Sequence, residues 1–294
     1  QSRDRESASR GARGSMDIRR DARRSMDLSR MAMEHDFMAN DIDLCESTMW
    51  WAKPNGVPPT LQGRKDILYE SEETTASKRG GRSQTTKDLY VLRADYSQTI
   101  ITVVYDTNNP PEASFEQKHE APPAKLRPDQ LEESHERYGR RLHDAVAAKK
   151  ESVVGDGTPA GLIIEMLKPL KDALLPIGTR AYGALVYSNQ GNSLVGQYDE
   201  IRPGDVITFR NTKFMGKHGP MHAKYTAELG KGEGHVAIVA EWDGAKKKVR
   251  AWEQGRESKK VKMESFKLED LRSGEVKIWR VMGRAWVGWE GQNS

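Results

Sequence analysis

Residues suited to acyl-transfer chemistry stand in the last third of the chain, in the stretch GHVAIVAEWDGAKKKVRAWEQG, residues 234–255. Val236 to Val239 form a nearly continuous apolar run, as in a strand buried on both faces. Asp243-Gly244 is a hairpin turn signal, and Val249 to Trp252 return as a second strand. With the turn centred near Gly244, His235 lies nine residues before it and Glu253 nine after. Opposed residues of an antiparallel pair share a face, so the two meet at the open end of the hairpin, and Gln254 replaces Glu253 if the register differs by one. A carboxylate beside an imidazole fixes its tautomer and stabilises its charged form. That supplies the base and the orienting group of a nucleophile–base–orienter arrangement. The plainer alternative is a histidine at a strand start and an unrelated exposed glutamate.

The elements that must position this pair lie on either side of it in sequence. GDVITF, with Val206, Ile207 and Phe209 after the Pro203-Gly204 turn, predicts a strand. Between it and His235 lies a polar insertion, KHGPMHAKY, expected on the surface. Its His218 and His222 have metal-ligand spacing only on a helix, which Gly219-Pro220 opposes, so no metal and no cofactor are expected. Upstream, GDGTPAGLIIEML predicts a helix with Thr158 as N-cap and Pro159 as first residue, running toward Leu175 and interrupted at Pro169. Pro128 to Glu151 predicts another helix, with Leu131, Tyr138, Leu142 and Val146 on one stripe. Ala181 to Tyr187 fits a strand or a short helix, FKLEDLRSG a turn with a short helix, and Glu275 to Met282 a further strand. Lys259, Lys260 and Lys262 are expected on a solvated face.

The pattern G-D-V-I-F, a gap, G-H-V-A-I-V, a D-G turn and a strand ending in E-Q resembles the catalytic half of the CHAP and NlpC-type cysteine amidases, which have a papain-like fold. A narrower resemblance covers most of residues 45–290: WW near the start, DLYVL followed by DYSQTIITVVYD, the long helix, GDG, and GDVITF…GHVAIVAEW…WVGW. These together resemble the C-terminal cysteine-proteinase-fold domain of fungal cortical actin-patch proteins, the myosin tail region-interacting protein family. The resemblance implies an α+β fold in which an antiparallel sheet packs on helices, with extra N-terminal β-strands. It makes His235 the base and Glu253 or Gln254 the orienting residue. It places the nucleophilic cysteine at a helix N-terminus, where the dipole favours a thiolate. Here that place reads Thr158-Pro159-Ala160, without a thiol. The resemblance therefore implies a non-catalytic interaction module, cytoplasmic and cytoskeletal, at actin cortical patches. Its expected partners are proteins of the cortical actin and endocytic machinery, type I myosin among them. The competing reading is an active cysteine hydrolase or amidase that uses Cys45, or an unidentified nucleophile, with His235.

The remaining chain divides into an N-terminal segment, 1–44, and one domain over 45–294. Residues 1–30 are rich in arginine, with Arg19, Arg20, Arg23 and Arg24 among Asp17, Asp21 and Asp27. This segment is expected to be partly disordered and helical from about Ser25, with Met26, Met33 and Phe37 at helical spacing. The interleaved aspartates, and the absence of interleaved aromatics, argue against nucleic acid. Trp50 and Trp51 are expected to anchor the segment around Cys45. Residues 60–106 read as added strands: Leu61 to Tyr69, Asp88 to Ala94 and Gln98 to Tyr105. A polar loop, SEETTASKRGGRSQ, separates the first two, and a proline-bearing extended connection follows over 107–128. The domain continues with helices over 128–175 and core antiparallel strands over 204–282.

Composition bounds the rest. The 294 residues are 36% hydrophobic and 31% charged, with a net charge of +4, and the mean hydropathy is −0.78. No window approaches a membrane span. A single cysteine excludes an internal disulfide framework and fits a reducing compartment. The chain begins at Gln1 rather than at a methionine, as a fragment of a longer protein would.

Overall fold

The structure, a computed structural model, describes residues 37, 39–77, 83–218 and 223–289. The expected helix from Ser25 lies outside these residues, as do His222 and the tip of the polar loop at 78–82. The chain divides into two compact units, Gln1–Gln62 with Tyr69–Lys125, and Gly63–Leu68 with Leu126–Ser294.

The first unit is built on four strands in sequence order, β1 (Ile67–Ser77), β2 (Ser83–Arg93), β3 (Gln98–Asp106) and β4 (Asn109–Glu120). β2 and β3 alternate cleanly, burying Leu89, Val91, Ile101 and Val103 on the covered face. Lys87 shares that face and is fully buried. Its ammonium lies 2.7 Å from Glu73 and 5.8 Å from the centre of the Trp50 ring. Trp50 and Trp51 are both buried, and Trp51 stacks edge-on against Phe115 of β4 with ring centres 4.8 Å apart. These indoles thus fix the segment after Cys45 to the sheet.

Three expectations fail in this unit. Leu61 to Tyr69 is a 3₁₀ turn (Pro59–Leu61) and a loop, with the strand beginning only at Ile67. SEETTAS is strand rather than loop, and the proline-bearing connection is strand β4. The reason is the same in both strand cases. β1 and β4 are the edges of the sheet, so their side chains are largely solvated and polar, while backbone pairing on one side suffices to hold them. Pro110 and Pro111 sit at the start of an edge strand, where a missing N–H costs nothing in the ladder. These strands pair among themselves and do not extend the sheet of the second unit, so 45–294 holds two compact units rather than the single one expected.

The second unit opens with a helical run: α1 (Pro128–Ser134), a π-helical turn (His135–Gly139) and α2 (Arg140–Ala147). The π turn carries a close contact between backbones. An added Cβ on Gly204, whose φ is +92°, would lie 1.9 Å from the Gly139 carbonyl oxygen. His135 reaches across beside it and donates from Nε2 to the Pro203 carbonyl at 2.8 Å. The helix stops at Ala147, short of the expected Glu151, because residues 150–153 turn to pair with Lys260 and Val261. α3 (Pro159–Leu167) ends before Pro169, whose ring excludes continuation.

Eight strands follow: β5 (Ala184–Gln190), β6 (Leu194–Gln197), β7 (Val206–His218), β8 (Ala223–Leu229), β9 (His235–Asp243), β10 (Lys248–Glu253), β11 (Lys262–Lys267) and β12 (Leu271–Arg280). They form one antiparallel sheet in the order β11-β10-β9-β7-β12-β5-β6, with β8 paired to β7. Ala184–Gln190 is thus strand, and the polar insertion is a β7–β8 ribbon that leaves the sheet. Phe209, Phe214 and Phe266 pack together on one face with Val239, Val249, Ala251, Ile278 and Leu271. α2 and α3 pack against β9.

A buried ion pair fastens the strand ends of this unit. Arg280, at the end of β12, grips Asp205, just before β7, through Nε at 2.9 Å and a second nitrogen at 3.0 Å. The same guanidinium donates to Asp199, to the Glu200 carbonyl at 2.7 Å and to the Leu131 carbonyl at 3.3 Å. Both Asp205 and Arg280 are 1% exposed. No helix among the described residues is long and apolar enough to cross a membrane.

Candidate functional site

The β9–β10 hairpin decides which side chain His235 meets. Near the turn, Val249 opposes Trp242 and Arg250 opposes Glu241. Ala251 then opposes Val239, so Ala240 is an extra residue in β9, a bulge. Continued past Trp252–Ile238, this register sets Gly255 opposite His235. Glu253, two residues away from that position, falls on the face of His235, and Gln254 on the other. Without the bulge the two would exchange places.

The side chains bear this geometry. His235 Nε2 lies 2.7 Å from Glu253 Oε2, with both residues buried. A carboxylate only accepts, so Nε2 is the donor of this bond. Nδ1 has no hydrogen-bond partner among the described residues. The other Glu253 oxygen accepts from Arg256 Nε at 2.6 Å. Burial alone would raise the Glu253 carboxyl, but the hydrogen bonds and charge of His235 and Arg256 hold it below its usual range. Arg256 is braced in turn by Glu257 at 2.9 Å and Glu264 at 3.3 Å. The sequence offered no signal for Arg256 beyond its place three residues after Glu253, in a loop.

Gln254 is not an orienting group for His235. Its amide accepts from Val154 N at 3.1 Å and donates to the Val154 and Thr158 carbonyls, both at 2.8 Å. It therefore fastens the open end of the hairpin to the start of α3. Gly255 completes that join. Its φ is +82°, and an added Cβ would lie 2.6 Å from Pro159 Cδ and 3.0 Å from the Gly157 carbonyl.

The start of α3 is thus beside the hairpin, but its side chains are engaged locally. Thr158 caps the helix: its hydroxyl accepts from Gly161 N at 3.0 Å and donates to Asp156 Oδ1 at 2.7 Å. Hydrogen bonds from Thr158 keep the Asp156 carboxyl below its ordinary range. No hydrogen bond joins His235 to Thr158, Pro159 or Ala160 among the described residues. Of the candidate residues, the structure brings His235 and Glu253 together and assigns Gln254 and Thr158 to the helix start.

Cys45 lies in the first unit, a half-buried residue with φ at +47°. It lines a cavity of about 440 Å³ together with Asp41, Asp43 and Glu46. Partial burial and the neighbouring Asp43 push its thiol pKa up, the reverse of what a nucleophile needs. No group of three or more His, Cys, Asp or Glu able to hold a metal occurs among the described residues.

Comparison with known proteins places this site in a family. The family model for the AIM3/BBC1 cysteine proteinase-fold domain matches residues 116–291, the segment that carries His235, Glu253 and the start of α3. Cys45 falls outside it. An SH3 domain-containing protein of Schizosaccharomyces pombe is 39% identical over 254 residues. That alignment covers 86% of this chain but 16% of the relative, so the chain spans under a fifth of that protein's length. No solved structure matches. The family match extends over more than half of the chain and includes every element that positions the His235–Glu253 pair, and the chain accordingly belongs to the AIM3/BBC1 cysteine proteinase-fold domain family.

Proposed function

We propose that this chain is a non-catalytic protein-interaction module, a degenerate papain-like fold of the CHAP and NlpC kind, α+β with its sheet packed on helices. In this reading it belongs to a longer, SH3-containing fungal protein of actin cortical patches. There it serves endocytosis through the cortical actin machinery, type I myosin included. The observation that carries the non-catalytic reading is the start of α3. Where the fold calls for a thiolate, the chain offers a threonine hydroxyl already held by Asp156 and Gly161. An internal threonine lacks the amine that activates one elsewhere. The His235–Glu253–Arg256 cluster then serves to hold the hairpin end in shape.

The cellular part of this reading is tested in a fungal cell with the parent protein fluorescently tagged. Deletion of residues 116–291 is expected to weaken patch recruitment, whereas His235→Ala, at wild-type abundance, leaves it unchanged. Recruitment lost in the point variant alone would argue for chemistry at the cleft. One observation favours a second reading, an active cysteine hydrolase: the His235–Glu253 pair is kept with Nδ1 unengaged. Against it stands the acidic setting of Cys45.

A further inference from the structure

The second unit carries a basic strip away from the His235–Glu253 pair. Lys149 and Lys150 follow α2, and Lys259, Lys260 and Lys262 precede and open β11. All five are exposed and none forms an ion pair among the described residues. The backbone gathers them. Lys150 bridges Val261 and Val153 bridges Lys260. Glu151 N donates to the Val261 carbonyl at 2.9 Å and Val261 N to the Ser152 carbonyl at 2.8 Å. Val153, among these lysines, is 52% exposed. Glu151 is the one exposed carboxylate within the ribbon, Asp156 lies beside Lys259, and Glu257 and Glu264 are drawn to Arg256, which also holds Glu253.

β11 is the last strand of its sheet. Val261 gives both backbone groups to the 151–152 segment, on the side away from β10. By strand alternation Met263 and Ser265 present theirs on that same edge. No strand among the described residues continues the 151–152 segment along them. Lysines on an edge strand commonly guard it against unwanted pairing. That accounts for Lys262, but not for Lys149, Lys150, Lys259 and Lys260, which stand off the strand around an exposed valine.

We propose that this strip docks an extended acidic peptide, which adds as a strand along Met263–Ser265 and sets its carboxylates on the five lysines and an apolar side chain on Val153. A row of open backbone donors and acceptors is matched by a peptide strand and not by lipid headgroups, which is why a peptide is favoured over an anionic membrane. The proposal holds whether or not the His235 cleft is catalytic.

The test is fluorescence anisotropy with the full chain and a labelled decapeptide of alternating glutamate and valine. A lysine–valine decapeptide, phosphatidylserine vesicles and the same acidic peptide with alternate amides N-methylated serve as comparisons. The acidic peptide is expected to bind and the basic one not. Combined Lys150→Glu, Lys260→Glu and Lys262→Glu should weaken binding about tenfold or more. Ser265→Pro removes one outward N–H without touching the β10 ladder, and it should weaken binding, as should N-methylation of the peptide, which leaves the protein unaltered. Absence of binding by the acidic peptide overturns the proposal. So does undiminished binding of the N-methylated peptide, which would reduce the strip to a charge patch. Binding of vesicles without the peptide would assign it to a lipid surface instead.

Discussion

Replacing Arg280 by methionine strands a carboxylate in the core, and the size of the loss follows from its contacts. Arg280 gives Asp205 two hydrogen bonds and also serves Asp199 and the carbonyls of Leu131 and Glu200. Without it Asp205, 1% exposed, keeps only the Arg202 backbone N–H at 2.8 Å among the described residues. Breaking a buried pair from one side costs about 3–5 kcal/mol, because the partner charge stays desolvated. In a chain of this size each kcal/mol moves the thermal midpoint by about 2–4 °C, so a fall of about 6–20 °C is expected. Adding Asp205→Leu to Arg280→Met should recover part of the loss, since the unpaired buried charge is gone. The assay is urea unfolding at neutral pH followed by tryptophan fluorescence, with a double-mutant cycle for the coupling. A single Arg280→Met variant within about 1 kcal/mol of the wild type would refute the reasoning.

Three further outcomes are expected. The folded Glu253 carboxyl is held below its ordinary 4.5, so its contribution to stability is full above that value and is lost as pH falls through the lower folded one. Between about pH 6 and pH 3 the wild type should therefore lose more stability than Glu253→Gln, and an equal loss in both would remove the ion cluster from the account. Gln254→Ala leaves the Val154 N–H without its acceptor, while the Val154 and Thr158 carbonyls keep the backbone N–H groups of Gly157 and Leu162, and should cost about 1–3 kcal/mol in denaturant unfolding. Gly255→Ala, forced into the left-handed region and against Pro159, should cost at least about 2 kcal/mol; a smaller loss would mean the hairpin and helix are not fastened there.

The hairpin was legible because its turn, its apolar run and the position of His235 all lie within twenty-two consecutive residues. The choice between Glu253 and Gln254 was not, since it hangs on Ala240, a bulge that no residue type in AEWDG announces. β1 and β4 were misread because strands solvated on most sides carry the side chains of loops. The Arg280–Asp205 pair is 75 residues apart in sequence and exists only once β7 and β12 are neighbours. Gln254 illustrates a further limit. Its type fits an orienting amide as well as a helix clamp, and only the placement of Val154 and Thr158 separates the two.

The central claim, that the cleft holds a base without a nucleophile, is tested most directly by covalent labelling. The intact chain and His235→Ala are each treated with a thiol-directed electrophile such as a chloroacetamide or a vinyl sulfone, and adducts are timed by mass spectrometry. Cys45 is the one thiol in the chain, and its raised pKa disfavours the reactive thiolate. The account predicts slow labelling of Cys45 at the same rate in both proteins. A fast, stoichiometric adduct in the wild type that disappears with His235 would establish a working pair and contradict it.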